Sequence, residues 1–339
     1  MPEQFLRLTA EERLEALGVA STVFGRPIYL LEKDVWVVWT LQQLFESSDA
    51  EHLIFKGGTS LSKAYGVIER FSEDVDVTYD IRAIAPDLIA KTADGFPENR
   101  SQQQKWTDEI RKRLNTWVAD TMQPYLAERL AKIVSDGKVT AEADTIILQY
   151  PSFAMGTGYI APTVRVEFGA RSTGEPHEPR SIVCDAAEHL AELEFPSCKA
   201  HVMRAERTFW EKATAIHVFC LEKRLRGERF ARHWYDVMQL DSRGFANRAM
   251  SDHALAEEVA KHKSIYFAAK AADGTQIDYS LAVNGSLVLV PEGEALQILE
   301  QDYAHMKDDG LLPAGAEEFQ TIMTRCADIE KRANATRTT

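Results

Sequence analysis

Cysteine is scarce in this chain. Cys184, Cys198, Cys220 and Cys326 lie too far apart for a paired metal-knuckle spacing, and four thiols in 339 residues do not make a disulfide scaffold. They read as reduced thiols. The histidines show no zinc-ligand spacing either. No uninterrupted apolar segment could span a bilayer, and the opening residues 1–7 lack the basic stretch and apolar run of a signal peptide. The expectation is a cytoplasmic protein with no membrane partner. Positive charge is also short: 39 Lys+Arg stand against 52 Asp+Glu, a formal net charge of −13. Such a balance excludes a surface that coats nucleic acid indiscriminately, and it leaves room for one local basic cleft. There is no internal repeat and no low-complexity segment.

What is present is an ordinary apolar fraction, 45%, spread over a length that suits two domains better than one. Thr9-Ala10-Glu11-Glu12 has the capping-box spacing, so a helix should run from there toward Phe24 and stop at Gly25-Arg26-Pro27. A second, amphipathic helix is expected from about Leu30, with Val35, Val38, Trp39, Leu41, Leu44 and Phe45 on its apolar stripe. Residues 52–55 read as a short strand broken by Gly57-Gly58, and 59–65 as a short helix ended by Gly66. Residues 74–79 alternate carboxylate and apolar side chains with the period of a strand. A helical excursion is expected at about 82–145, with Pro124 interrupting it, before strands resume at 146–148 and 164–168. Beyond that, helices are expected over 207–224, 229–241, 251–262, 294–308 and 316–332, and Asn284-Gly285 suggests a hairpin turn. The fold class is therefore α/β (α+β): an N-terminal domain with a mixed sheet over 1–200, then a mainly helical domain over 201–339 with a small hairpin at about 277–290.

The chemistry concentrates in two stretches, residues 55–63 (FKGGTSLSK) and 70–77 (RFSEDVDV). Two glycines after a strand let backbone N–H groups approach an anion, and a helix that begins beside them turns its positive end the same way. Asp74 and Asp76 are two apart on a strand, so both carboxylates leave one face and offer hard oxygen ligands to a divalent cation. Glu167 stands on the corresponding wet face of its own strand and could close the site. Singly, a Gly-Gly turn and an Asp-x-Asp edge are usually structural. Their order and spacing give them a joint purpose, placing triphosphate and metal ligands side by side.

Gly57-Gly58-Thr59-Ser60 with Asp74-Val75-Asp76 resembles the signature of DNA polymerase beta-like nucleotidyltransferases. The fuller wording of both stretches resembles the AbiEii/AbiGii toxin branch, the toxins of type IV toxin–antitoxin systems. Residues 208–217 (TFWEKATAIH) and 232–236 (RHWYD) fit the same branch, which carries a Lys and an Asp there; these fall on Lys212 and Asp236. The resemblance covers about residues 30–240. It implies a nucleotidyltransferase in which Asp74, Asp76 and Glu167 hold Mg²⁺ or Mn²⁺, with Glu167 alternatively acting as base. Gly57, Gly58, Ser60 and Lys63 would position the nucleoside triphosphate, with Ser72 beside the metal. Lys212 would stabilise transition-state charge, and Asp236 would orient Lys212 or the nucleotide. It further implies an RNA acceptor, the tRNA 3′ end being the foremost candidate, blocked translation, and a cognate antitoxin as partner.

Helical geometry supports Lys212 independently. At about 100° per residue it shares a stripe with Phe209, Ala213, Ile216, Phe219 and Cys220, where an ammonium needs a partner or a cleft. Asp236 has Arg232 and His233 within one turn as simple surface partners. His217, Trp210 and Trp234 read as core. Residues 199–232 hold nine Lys/Arg against four Glu, which either lines a path for a polyanion or is balanced by acidic neighbours in space. Two other readings stay open: transfer to a small molecule or a protein side chain, and a nucleotide-binding module without turnover.

Overall fold

The computed structural model describes residues 3–72, 74–92, 96–154, 161–223, 229–313 and 315–335. The chain divides into two compact units, Met1–Ala64 with Glu73–Val202, and Tyr65–Ser72 with Met203–Thr339. The short piece 65–72 therefore leaves the sheet-bearing unit and returns to it just before the carboxylate strand.

The first unit is built on a seven-stranded mixed sheet. Its order is Lys138–Glu142, Thr145–Gln149, Thr163–Gly169, Asp74–Tyr79, Leu53–Lys56, Ser197–Met203 and His177–Val183. The carboxylate strand is thus central. It runs parallel to Thr163–Gly169 and antiparallel to Leu53–Lys56. Alternation explains why: Val75, Val77, Val164, Val166 and Phe168 are buried while Arg165 and Glu167 reach solvent. The first helix, Ala10–Phe24, begins at the Thr9 capping box and ends on Gly25 in the left-handed region.

The next helix, Ile28–Phe45, is buried along almost its whole circumference rather than on one stripe. Even Glu32, Lys33 and Asp34 are inside. They are tolerated because each is paired: Glu32 accepts from Ser152 Oγ at 2.6 Å and Phe153 N at 3.1 Å, and Lys33 Nζ donates to the Ala161 carbonyl at 3.2 Å. The expected excursion is shorter than 82–145, because Lys138–Glu142 already belongs to the sheet, paired with Thr145–Gln149. Pro124 breaks nothing. Arg100–Trp117 passes through a π-type turn at Val118–Met122 into Gln123–Ala131, and Pro124 falls in that last helix's first turn, where no N–H is needed. His177–Val183 escaped the sequence reading because it is an edge strand with a single buried residue, containing Pro179 and showing no apolar alternation.

The second unit is helical: Ala205–Glu222, Arg232–Ser242, Phe245–Ser251, His253–Tyr266, Tyr279–Val283, Glu294–Asp308 and Phe319–Ala335. The expected hairpin at 277–290 is absent from the described residues. Tyr279–Val283 is a helical turn capped by Asp278, and the chain after Gly285 runs without a partner strand. Its backbone groups are met by helix side chains instead. Leu287 N donates to Asn334 Oδ1 at 2.8 Å, Val288 N to His217 Nδ1 at 3.0 Å and Leu289 N to Glu330 Oε2 at 2.6 Å, while Trp234 Nε1 donates to the Leu289 carbonyl at 2.6 Å. Trp210, Trp234 and His217 are buried. No helix among the described residues is long and apolar enough to cross a membrane.

Candidate functional site

Two sites take shape, one in each unit. In the first, Asp74 and Asp76 are both partly exposed on one face of the central strand, with Val75 and Val77 wholly buried between and beyond them. Across the sheet Asp76 sits in register with Lys56 on one side and Glu167 on the other, and Asp74 with Arg165. Lys56 Nζ lies 3.9 Å from Asp76 Oδ1.

The glycine turn is packed directly onto this strand. Gly57 has φ +79°, a conformation that disfavours any side chain, and a Cβ there would overlap Asp76 Oδ2 and lie 2.9 Å from its Cγ. The helix Gly57–Lys63 therefore starts two residues earlier than its sequence suggests, with Gly58 already in its first turn. The Thr59 hydroxyl donates to the Asp74 carbonyl and straps helix to strand. Hard oxygen donors beside a backbone that a Cβ would crowd are a donor set suited to Mg²⁺ or Mn²⁺ carrying nucleotide phosphates.

Three expected participants are placed differently. Glu167 is 47% exposed, and its Oε1 accepts from Arg165 Nε at 2.8 Å. No group of three His, Cys, Asp or Glu among the described residues is arranged to hold a metal ion. Ser60 is fully buried, and its Oγ donates to the Gly57 carbonyl at 2.9 Å, which spends the hydroxyl inside the turn. The Lys63 side chain is only 6% exposed, and its ammonium lies 2.5 Å from Asp34 Oδ1 and 2.6 Å from Asp185 Oδ1. Burial pushes the Lys63 ammonium down, but the two carboxylates outweigh it and hold the pKa above its ordinary value. Its ammonium is thus engaged by two carboxylates, which fasten the short helix within the first unit.

The second unit holds Lys212, Asp236 and Arg70. Asp236 is 0% exposed. Its Oδ1 accepts from Arg70 Nε at 2.7 Å, and its Oδ2 accepts from an Arg70 terminal nitrogen at 2.8 Å and from Lys212 Nζ at 2.8 Å. Burial would raise the carboxyl, but the Arg70 and Lys212 charges hold it well below the usual carboxylate range. Lys212 moves down: burial lowers it, Asp236 opposes, and Arg70 and Arg232 lower it further. Two cations thus share one carboxylate. His233 adds no charge, since burial and then the Lys212 field push it well below its usual value. Ser72, expected beside the metal, belongs with this second unit.

Sequence reasoning linked Asp236 to Lys212, with Arg232 and His233 as simple surface partners, and gave Arg70 no role. The only signal was that Arg70 stood inside a motif with no task assigned. The basic surplus at 199–232 is partly consumed by carboxylates. Arg204 lies 3.4 Å from Glu206, Arg207 is buried against Glu258 at 2.8 Å and Glu211 at 3.3 Å, and Lys212 is on Asp236. Arg224, Arg226 and Glu228, like Glu73 of the earlier motif, lie outside the described residues.

A glycine turn seated on an Asp-x-Asp strand at the centre of a mixed sheet belongs to the nucleotidyltransferases. More particularly, the chain is a member of the family described as nucleotidyl transferase AbiEii toxin of type IV toxin–antitoxin systems, which matches residues 39–325. Among solved structures it is similar to MenT4, a nucleotidyltransferase toxin of Mycobacterium tuberculosis H37Rv. The two are 17% identical, with a TM-score of 0.50, over 97% of this chain and 94% of that one. JHP933 from Helicobacter pylori also matches, at 13% identity and a TM-score of 0.40, over 90% of this chain and 91% of its own. No curated protein matches this chain.

Proposed function

We propose that this toxin transfers a nucleotide from a nucleoside triphosphate to an RNA acceptor, with the tRNA 3′ end as the leading candidate, and so blocks translation until its cognate antitoxin intervenes. The observation that carries the nucleotide half is the seating of Gly57 on Asp76. Backbone N–H groups of the Gly57-Gly58 turn receive phosphate oxygens, and Asp74 and Asp76 hold Mg²⁺ or Mn²⁺. When bound, that ion neutralises charge on the triphosphate. The acceptor hydroxyl oxygen bonds to the α-phosphorus as the bond to the bridging oxygen breaks, the hydroxyl proton passes to a base, and pyrophosphate leaves. Glu167 is the candidate base and serves once it gives up Arg165. Lys212 meets phosphate charge during transfer, and Asp236 orients its ammonium.

The RNA half rests on the family and on the basic segment around 199–232. A second reading, transfer to a small molecule or a protein, draws support from the capture of Arg204, Arg207 and Lys212 by carboxylates. One experiment separates them: the purified protein is incubated with total cellular RNA and each α-labelled nucleoside triphosphate, with Mg²⁺ or Mn²⁺. Label in an RNA band that disappears in Asp76→Ala supports RNA transfer. Label confined to protein or small molecules replaces it, and no metal-dependent labelling of any acceptor refutes both. Steep loss of acceptor binding as salt rises is expected of the RNA reading.

A further inference from the structure

Arg70 is the least expected member of the buried cluster. It comes from the 65–72 piece, 166 residues before the aspartate it holds. Its own position is fixed locally: one terminal nitrogen donates to the Phe71 carbonyl at 3.3 Å, and Phe71 N donates to the Leu311 carbonyl at 3.1 Å. Its planar fork then takes both oxygens of Asp236 at 2.7 and 2.8 Å. A bidentate guanidinium fixes the plane of a carboxylate as well as its charge.

The consequence falls on Lys212. Oδ1 faces Arg70, while Oδ2 is shared between Arg70 and Lys212. Lys212 is therefore met by one oxygen in a fixed direction. A lysine has a flexible four-carbon stem and three rotatable donors, so it cannot supply that direction itself. A carboxylate free to turn would offer the ammonium both oxygens and draw it in as a closed ion pair. With Arg70 holding both oxygens of Asp236, the Lys212 ammonium is left with one shared oxygen, and the nearby Arg70 and Arg232 charges act against its protonated form. An ammonium in such a field is favourably met by an anion, and a phosphate group supplies one.

We propose that Arg70 is a positioning residue for the Lys212 ammonium, acting through Asp236: it locks the carboxylate plane and claims enough of its charge to leave Lys212 available to phosphate. The inference rests on the reading of Lys212 as the phosphate-meeting cation, and its test has one arm that needs no turnover.

Arg70→Lys and Arg70→Ala are made alone and on a Lys212→Ala background, and thermal unfolding is recorded for each. In the transfer assay, both single variants should lose turnover on the order of tenfold or more, the size expected within one side-chain network. KM for the nucleotide should move far less. On the Lys212→Ala background neither substitution should cost anything further. Arg70→Lys keeps the charge and loses the fork, so its loss isolates geometry from charge. In the second arm, lysine-labelled protein is titrated by NMR, with the Lys212 signal assigned by its absence in Lys212→Arg. The Lys212 midpoint should be depressed in the parent protein, rise in Arg70→Ala and stay low in Arg70→Lys. Additive losses in the cycle, or a Lys212 midpoint indifferent to Arg70→Ala, would overturn the proposal. If the parent protein transfers nothing, the functional reading of Lys212 fails, and the titration alone decides whether Arg70 governs its ammonium.

Discussion

Gly57 leaves the space that the Asp76 carboxylate occupies, and its backbone adopts φ +79° to do so. Gly57→Ala should therefore be penalised twice, by the left-handed conformation, on the order of 1–2 kcal/mol, and by overlap with Asp76. Nucleotide transfer should fall further than stability, because relief of the overlap moves a proposed metal ligand. Thermal unfolding and transfer measured on one preparation check this, and a variant that keeps both close to the parent values would break the link between turn and strand.

Asp74→Ala and Asp76→Ala should abolish Mg²⁺-dependent transfer and leave the fold standing. Both side chains lie on the wet face of the strand, and the 3.9 Å Lys56–Asp76 contact is partly exposed and worth little. Circular dichroism and unfolding midpoints close to the parent, together with no product, are the expected result. Near-full metal-dependent turnover in either variant would remove the metal assignment.

Lys63→Ala separates two roles for one lysine. Its ammonium is buried between Asp34 and Asp185, so its removal leaves buried Asp34 without that cation while Asp185 keeps Arg26, at a cost of about 3–5 kcal/mol. Denaturant unfolding should show that loss. If stability is unchanged and only the nucleotide KM rises, the lysine belongs to the triphosphate after all.

Lys212→Ala and Asp236→Ala should differ in kind. Without Lys212, Asp236 retains both bonds from Arg70, so turnover should fall far more than stability. Without Asp236, two buried cations lose the carboxylate they share, and destabilisation of about 3–5 kcal/mol is expected. The Asp236 carboxyl is depressed in the folded state. Its stabilising contribution is thus full above the unfolded value near pH ~4 and is lost only as pH falls through the folded value. Equal stability loss in the two variants would contradict the sharing seen here.

His217 is 4% exposed and accepts from Val288 N at 3.0 Å, and burial pushes its pKa down to about 4. The unfolded imidazole titrates near pH ~6.5, so between those values the unfolded chain binds the extra proton. Stability should be fully present above pH ~6.5 and decline toward pH 4, by roughly 3 kcal/mol at most. His217→Asn, which keeps an acceptor near Nδ1 and cannot take up the proton, should flatten that slope in urea unfolding series. An identical slope in the variant would assign the decline to other groups.

Local periodicity was enough to place Asp74 and Asp76 on one face, because the side-chain period of a strand is two wherever the strand lies. Capping chemistry likewise set the ends of Ala10–Phe24, and the motif order was sufficient for the nucleotidyltransferase family. The hairpin at 277–290 failed for the opposite reason. Its turn signal is real, but Asn334, Glu330 and His217 supply the partners that a second strand would have given. Partnerships at long separation carry no local signature. Lys63 meets Asp185 across 122 residues and Arg70 meets Asp236 across 166, and in each case burial decides which charges must find each other. The chain's local chemistry thus determined which residues could face a nucleotide. Only the tertiary structure decided which charged side chains were already committed, because ion pairing inside a protein is settled by what packing encloses together and not by spacing along the chain.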